Sequence, residues 1–274
     1  MRYLSLTTWS LNRLLGPLYW NEWDEENQEI TTKIEEMPAI YTLEELPKLL
    51  KQEGFDALEV IHPHFSSTDL SYLQRVRAAF ETASIQLFSI LVDYGDLSHK
   101  DPVRRSADKG FIKKWIDIAA EVGATCTRVI GGEAHPDDKE SVKRVSSELT
   151  ELAAYGERKG IGVLTENFKS LTSTSENCLF LQHHSEIKGL ITDFGNFSGV
   201  GKKNDIRLTV PYSKSIHVKA LRNRDGTINK PELMENLELV RQARYAGPLT
   251  IVYDGPDDMW AGINEVKRVV KEFL

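Results

Sequence analysis

The chain has 274 residues, 41% apolar and 27% charged, with a net charge of −7 at neutral pH. That length suits one large α/β barrel, and the balance of residue types is that of a folded globular domain rather than a disordered chain. The acidic balance argues against general attraction to nucleic-acid phosphates, no apolar run reaches the roughly 20 residues of a membrane span, and no basic-then-apolar leader opens the chain, so neither nucleic acid nor membrane is an expected partner and a cytoplasmic location is expected.

A first strand-like run, LSLTTWSL, starts at Leu4. A long interruption follows at 16–41, with Tyr19, Trp20, Trp23 and the acidic run Asp24, Glu25 and Glu26. Structureless insertions of this length are usually lids or disordered segments, so this one is read as a lid over the barrel mouth, with a subunit contact or a loose loop as the alternative. LEELPKLLKQ from Leu43 has helical spacing, and Pro47 within it implies a kink or a late start. Strand-like runs then recur: ALEVIHPHF from Ala57, IQLFSILVDY from Ile85, TCTRVIGGE from Thr125, IGVLTENF from Ile161, KGLITDFGNF from Lys188, SIHVKAL from Ser215 and PLTIVYD from Pro248. Amphipathic segments such as FIKKWIDIAAEV from Phe111 and VKRVSSELTELAAYGERK from Val142 lie between them. Gly54, Gly123, Gly160 and Gly247 stand where left-handed helix C-caps belong.

Eight βα units without a Gly-rich first turn predict a closed parallel (β/α)₈ barrel over residues 1–274, rather than an open doubly wound sheet. Cys126 and Cys178 have neither metal spacing nor a paired framework, and they read as core thiols of a reducing compartment. A homo-oligomer is compatible with the sequence.

Barrel enzymes carry their chemistry at the C-terminal strand ends. Glu166, Asp193, His217 and Asp254 stand there on four successive strands, separated by 27, 24 and 37 residues, each about one βα unit. Three carboxylates and an imidazole converging in a low dielectric need a counter-charge, which a divalent cation such as Mn²⁺, Mg²⁺, Co²⁺ or Zn²⁺ supplies. Taken singly, each has a structural explanation as a helix cap or a core hydrogen bond. Lys219 shares the inward face of His217, where an ammonium would stabilise developing negative charge or pair with Glu166 or Asp193. His62, in the second strand run, is favoured over Glu59 as the residue facing the mouth, with a helix-capping role as the alternative. Trp9 offers a flat face for a sugar ring or for barrel packing, Arg222 and Arg224 follow the seventh strand as substrate or solvent-facing groups, and Arg128 and Glu133 bracket the fourth.

The segments TENF, TDFGN, IHVKA and TIVYDGP, preceded by ALEVIHPHF, resemble the xylose-isomerase-like TIM-barrel superfamily of sugar-phosphate isomerases and epimerases, inosose dehydratase, hydroxypyruvate isomerase and endonuclease IV. The resemblance implies that Glu166, Asp193 and His217 are metal ligands. The family's fourth ligand is usually Glu, and here the shorter Asp254 stands in its place. Asn196 stands where many relatives carry His, and can still bond a substrate hydroxyl. With only seven histidines, the chain also lacks the histidine-rich three-zinc site of endonuclease IV. The implied activity is proton abstraction beside a carbonyl of a carbohydrate-like substrate, with Glu166 as base or ligand-base, Asp254 as its opposite partner and Lys219 as stabiliser. Isomerisation and epimerisation are the leading outcomes. A dehydratase of the inosose or dehydroshikimate type, or a catalytically silent sugar-binding barrel, is the alternative.

Overall fold

The computed structural model describes residues 1–274. β1 (Tyr3–Thr7) is followed by an antiparallel ribbon of β2 (Leu18–Asp24) and β3 (Glu29–Glu35). The remaining strands are β4 (Ala57–Ile61), β5 (Gln86–Leu91), β6 (Cys126–Val129), β7 (Gly162–Glu166), β8 (Gly189–Asp193), β9 (Ser213–Val218) and β10 (Pro248–Ile251). β1 pairs in parallel with both β4 and β10, so the eight parallel strands close into a barrel, as the βα alternation predicts. Its helices are α1 (Leu46–Gln52), α2 (Leu70–Ala83), α3 (Pro102–Glu121), α4 (Lys139–Arg158), α5 (Ser175–His184), α6 (Lys202–Thr209), α7 (Lys230–Gln242) and α8 (Met259–Val270). None is long and apolar enough to cross a membrane.

Strand alternation divides the core in two. Leu58, Val60, Val163, Leu190 and Leu249 point outward under the helices, while Ala57, Ile61, Phe88, Cys126, Leu164 and Ile191 form a smaller cluster within the barrel. Local chemistry sets the helix starts. Thr42 and Glu45 form a reciprocal capping box before α1, Pro47 falls in its first turn, and the helix starts late rather than kinking. Asp101, Asp138 and Thr174 cap α3, α4 and α5 through their side chains. Gly54, Gly123 and Gly160 take left-handed conformations at φ +76, +75 and +76°, but after α7 that position falls to Arg244 at φ +53° rather than to Gly247.

The 16–41 segment is not the structureless insertion its length suggests. Asp24 Oδ1 accepts from the N–H groups of Glu26 and Asn27, so the acidic run builds the turn of a hairpin. Leu18 is buried against the inner barrel cluster, and Trp20 and Met37 pack on it. A fully buried side chain of that size contributes roughly 1.5–3 kcal/mol, which anchors the hairpin at the barrel mouth.

Gly262 of α8 lets the helix pack directly on the ring of Tyr253, the residue before Asp254. A Cβ there would collide with the ring. Gly262→Ala is therefore expected to destabilise the fold by about 1–3 kcal/mol despite its better helix propensity, as urea unfolding would measure.

Candidate metal centre

Glu166 ends β7, Asp193 ends β8, and the register pairs Asp193 with His217 of β9. The three buried side chains offer ligand atoms lying within 4.8 Å of one another. His217 Nδ1 is 3.4 Å from Glu166 Oε1 and 3.7 Å from Asp193 Oδ2. Each of the three side chains is held from behind. His217 Nε2 lies 3.2 Å from Glu59 Oε2, while the other Glu59 oxygen accepts from Ser215 at 2.5 Å and Thr250 at 2.7 Å. Asp193 Oδ1 accepts from the Gly195 N–H at 2.6 Å, and the Asn167 amide brackets the Asp193 backbone. Glu166 Oε2 is paired with Arg128 Nε at 2.9 Å, and Asn196 donates to its Oε1 at 3.2 Å.

The fit to a cation follows from the imidazole. Its Nε2–H donates to Glu59, which leaves Nδ1 aimed at two carboxylates, and a bare lone pair there would be repulsive. Protein groups alone meet that need with a proton. Burial opposes the imidazolium, but Glu166 and Glu59 outweigh it and hold the His217 pKa well above its ordinary 6.5. Burial likewise opposes ionisation of Glu59, and the His217 charge with its hydrogen bonds reverses that to lower its pKa. Two carboxylate oxygens and one imidazole nitrogen suit a hard or borderline divalent ion equally well.

A cavity of about 310 Å³ opens above the cluster, with Trp9, Trp20, Phe168, Arg128, Lys219 and Asp254 in its walls. The two tryptophans meet edge to face at 6.4 Å, and Trp20 comes from the hairpin. Lys219 Nζ pairs with Asp254 Oδ2 at 2.7 Å. Burial works against its charge, but Asp193 and Asp254 keep its pKa raised. The Lys219 stem lies over Gly195, where a Cβ would stand 2.6 Å from Lys219 Cδ, so glycine in the DFG turn gives the ammonium its path to the cavity.

The family model for the xylose isomerase-like TIM barrel matches residues 47–268. This chain belongs to that family. No curated protein matches its sequence. Among solved structures, an L-ribulose 3-epimerase is similar at 13% identity and a TM-score of 0.74, over 100% of this chain and 95% of that one. The 3-keto-D-glucoside 4-epimerase of E. coli is 18% identical with a TM-score of 0.65, over 84% and 94%. A xylose isomerase-like TIM barrel protein from Mycobacterium smegmatis, in complex with magnesium, is 16% identical with a TM-score of 0.66, over 99% and 96%.

In this xylose isomerase-like barrel, Trp9, Asn196, Lys219 and Asp254 line the same cavity as Glu166, Asp193 and His217. Asp254 does not join the three ligand atoms. β10 ends at Ile251, three residues before it, and its side chain sits on the rim, 41% exposed and tied to Lys219. His62 and Arg222 are not in the cavity wall. The His62 ring is buried, with Nδ1 accepting from the Asp93 N–H at 3.0 Å and Nε2 at 3.1 Å from Asn21 Oδ1, so its nitrogens hold the loop after β5 and the hairpin rather than face a substrate. Arg222 lies over the Tyr253 ring and pairs with Asp257 at 3.4 Å. Two further residues complete the centre: Glu59 behind His217, and Arg128 bridging Glu166 to Asp93 at 2.6 Å. Each was visible in the sequence as a lone charge inside an otherwise uncharged strand, where burial on both faces demands a partner.

Proposed function

We propose that this barrel is a divalent-metal-dependent sugar isomerase or epimerase that removes a proton from the carbon beside a carbonyl. The observation carrying this reading is the Glu166, Asp193 and His217 cluster, backed by Glu59 and opening into a cavity walled by Trp9, Trp20 and Phe168. Relatives of the same fold are named as sugar epimerases, and one is described with magnesium, which supports the choice of substrate and ion. Glu166, Asp193 and His217 would hold the ion. When bound, it supplies Lewis-acid polarisation of a carbonyl.

The chain's own groups do the rest. Arg128 and Asn196 fix the Glu166 carboxylate, which takes the proton. The Lys219 ammonium, oriented by Asp254, donates a hydrogen bond to the substrate oxygen on which negative charge grows. Trp9 and Trp20 offer flat apolar faces to the carbon skeleton, and the hairpin acts as the lid that keeps water from it. The Lys219–Asp254 pair also gives a second proton-transfer group, three strands round the barrel from Glu166. Delivery of a different proton from there to the same carbon, with Glu166 keeping the one it took, gives epimerisation, and return of the first proton by Glu166 to the neighbouring carbon gives isomerisation.

A second reading, dehydration, draws on the same pair, because the Lys219 ammonium, held by Asp254 at 2.7 Å, is the group of the pair that carries a proton for a departing hydroxyl. Purified protein is expected to bind one Mn²⁺ per chain by calorimetry and, so loaded, to exchange substrate protons for solvent deuterium. The substrates to screen are ketoses, inososes and dehydroshikimate-like acids. Absence of stoichiometric binding by Mn²⁺, Mg²⁺, Co²⁺ and Zn²⁺ would sink the metal-dependent reading. A product with one water fewer would select the dehydratase.

A further inference from the structure

A second cavity of about 320 Å³ lies beside the first, and Asp93 and Lys169 line both. Alone, each is near the small end of ligand pockets, which span roughly 300–1,000 Å³, whereas the two in succession accommodate a longer molecule. The hairpin forms one wall through Asn21, Glu22 and Trp23, and Tyr94, Arg104 and Glu133 stand in the others.

The cations of this second cavity already have anionic partners. Lys169 Nζ pairs with Glu133 at 3.0 Å, Arg104 with Glu25 at 3.5 Å and Asp108 at 3.7 Å, and Asp93 with Arg128 at 2.6 Å. Asp96 accepts from Ser98 and from the Glu133 N–H. No unneutralised cation faces an anionic group such as a phosphate, and the four lining carboxylates Glu22, Asp93, Asp96 and Glu133 would oppose one. The unmet demand is of another kind. Trp23 Nε1 and the Tyr94 hydroxyl are buried with no hydrogen-bond partner, as is Arg104 Nε, whose charge Glu25 and Asp108 answer, so the cavity offers two neutral donors on aromatic side chains of the kind that hold a sugar ring. Between the cavities, Lys169 holds a left-handed backbone at φ +67°.

Resting on the sugar isomerase or epimerase reading above, we infer that the substrate is a neutral two-unit saccharide. Its reacting keto unit occupies the cavity over Glu166, Asp193 and His217, and its second ring occupies the cavity beside Trp23 and Tyr94.

Calorimetry on the Mn²⁺-loaded protein tests this with D-fructose, fructose 6-phosphate and the keto-disaccharides lactulose, palatinose and turanose. The best disaccharide is expected to bind at least tenfold more tightly than D-fructose. Glu133→Trp, which fills the cavity from a side chain 55% exposed, is expected to remove that advantage while Mn²⁺ and D-fructose binding stay unchanged. Trp23→Phe, which keeps a ring but deletes the donor, is expected to remove about three- to tenfold of it. Equal binding of D-fructose and every disaccharide overturns the inference alone. So does tighter binding of fructose 6-phosphate, or a disaccharide preference that survives Glu133→Trp. Mn²⁺ binding with no affinity for any of these sugars overturns the parent reading as well.

Discussion

Glu166→Gln is expected to lower kcat by about a thousandfold, within the range of roughly 10²–10⁴ carried by one positioned acid–base group. The amide cannot accept a proton at neutral pH, and it is a far weaker metal ligand than a carboxylate. Its carbonyl oxygen can still turn to Arg128, replacing the 2.9 Å ion pair by a weaker hydrogen bond, and its NH₂ group then meets the Asn196 donor on the other side. Asp93 still holds the guanidinium at 2.6 Å, so the loss of stability should stay near the cost of one unsatisfied buried group, about 1–3 kcal/mol, and the barrel should remain folded. Steady-state rates, deuterium uptake and Mn²⁺ affinity measured on one preparation separate the effects. A variant within tenfold of the wild-type rate would rule Glu166 out as the base.

The second large effect is on stability in acid. Burial pushes the His62 pKa down to about 3, with the charge of Arg128 adding to it. Burial also brings His64 down to about 3, and neither of its ring nitrogens has a protein partner. Both are neutral in the folded barrel. An unfolded chain takes up their protons near pH 6.5, so the folded state gains nothing from acid and loses ground as pH falls from 6.5 toward 3. Each histidine costs about 1.4 kcal/mol per pH unit across that window. His217 adds no slope there, because its raised pKa leaves it charged in both states below 6.5. Glu59, with its lowered pKa, adds its own loss at the acid end. The difference between wild type and His64→Phe isolates one histidine from the carboxylates. Urea unfolding of the two should give similar stabilities at pH 7 and diverge in favour of His64→Phe by about 2 kcal/mol at pH 5. Parallel curves would show that His64 is not held neutral. His62 carries a further consequence, since its protonation breaks the bond from the Asp93 N–H beside the cavity.

The alternation of apolar runs and amphipathic segments determined the eight barrel strands, because period-two and period-3.6 patterns are local properties of the chain. It also placed Glu166, Asp193 and His217 at neighbouring strand ends, and the fold brings their ligand atoms together. The hairpin was less legible. Ile30, Thr31, Thr32 and Ile34 carry a strand signal, but the flanking charges obscured it. Tertiary structure alone decided the partners. Glu59 reaches His217 across 158 positions because the barrel closes in that register, and Arg128 meets Glu166 because β6 lies beside β7. Asp254 turns to Lys219 because β10 ends three residues before it, so the path of a loop, rather than the reach of a carboxylate, keeps it apart from Glu166, Asp193 and His217. His62 was drawn inward for a similar reason, as the packed hairpin and the loop after β5 claimed both its nitrogens. Such contacts depend on where distant segments meet, and that is set only when the barrel closes and buries its charges in pairs.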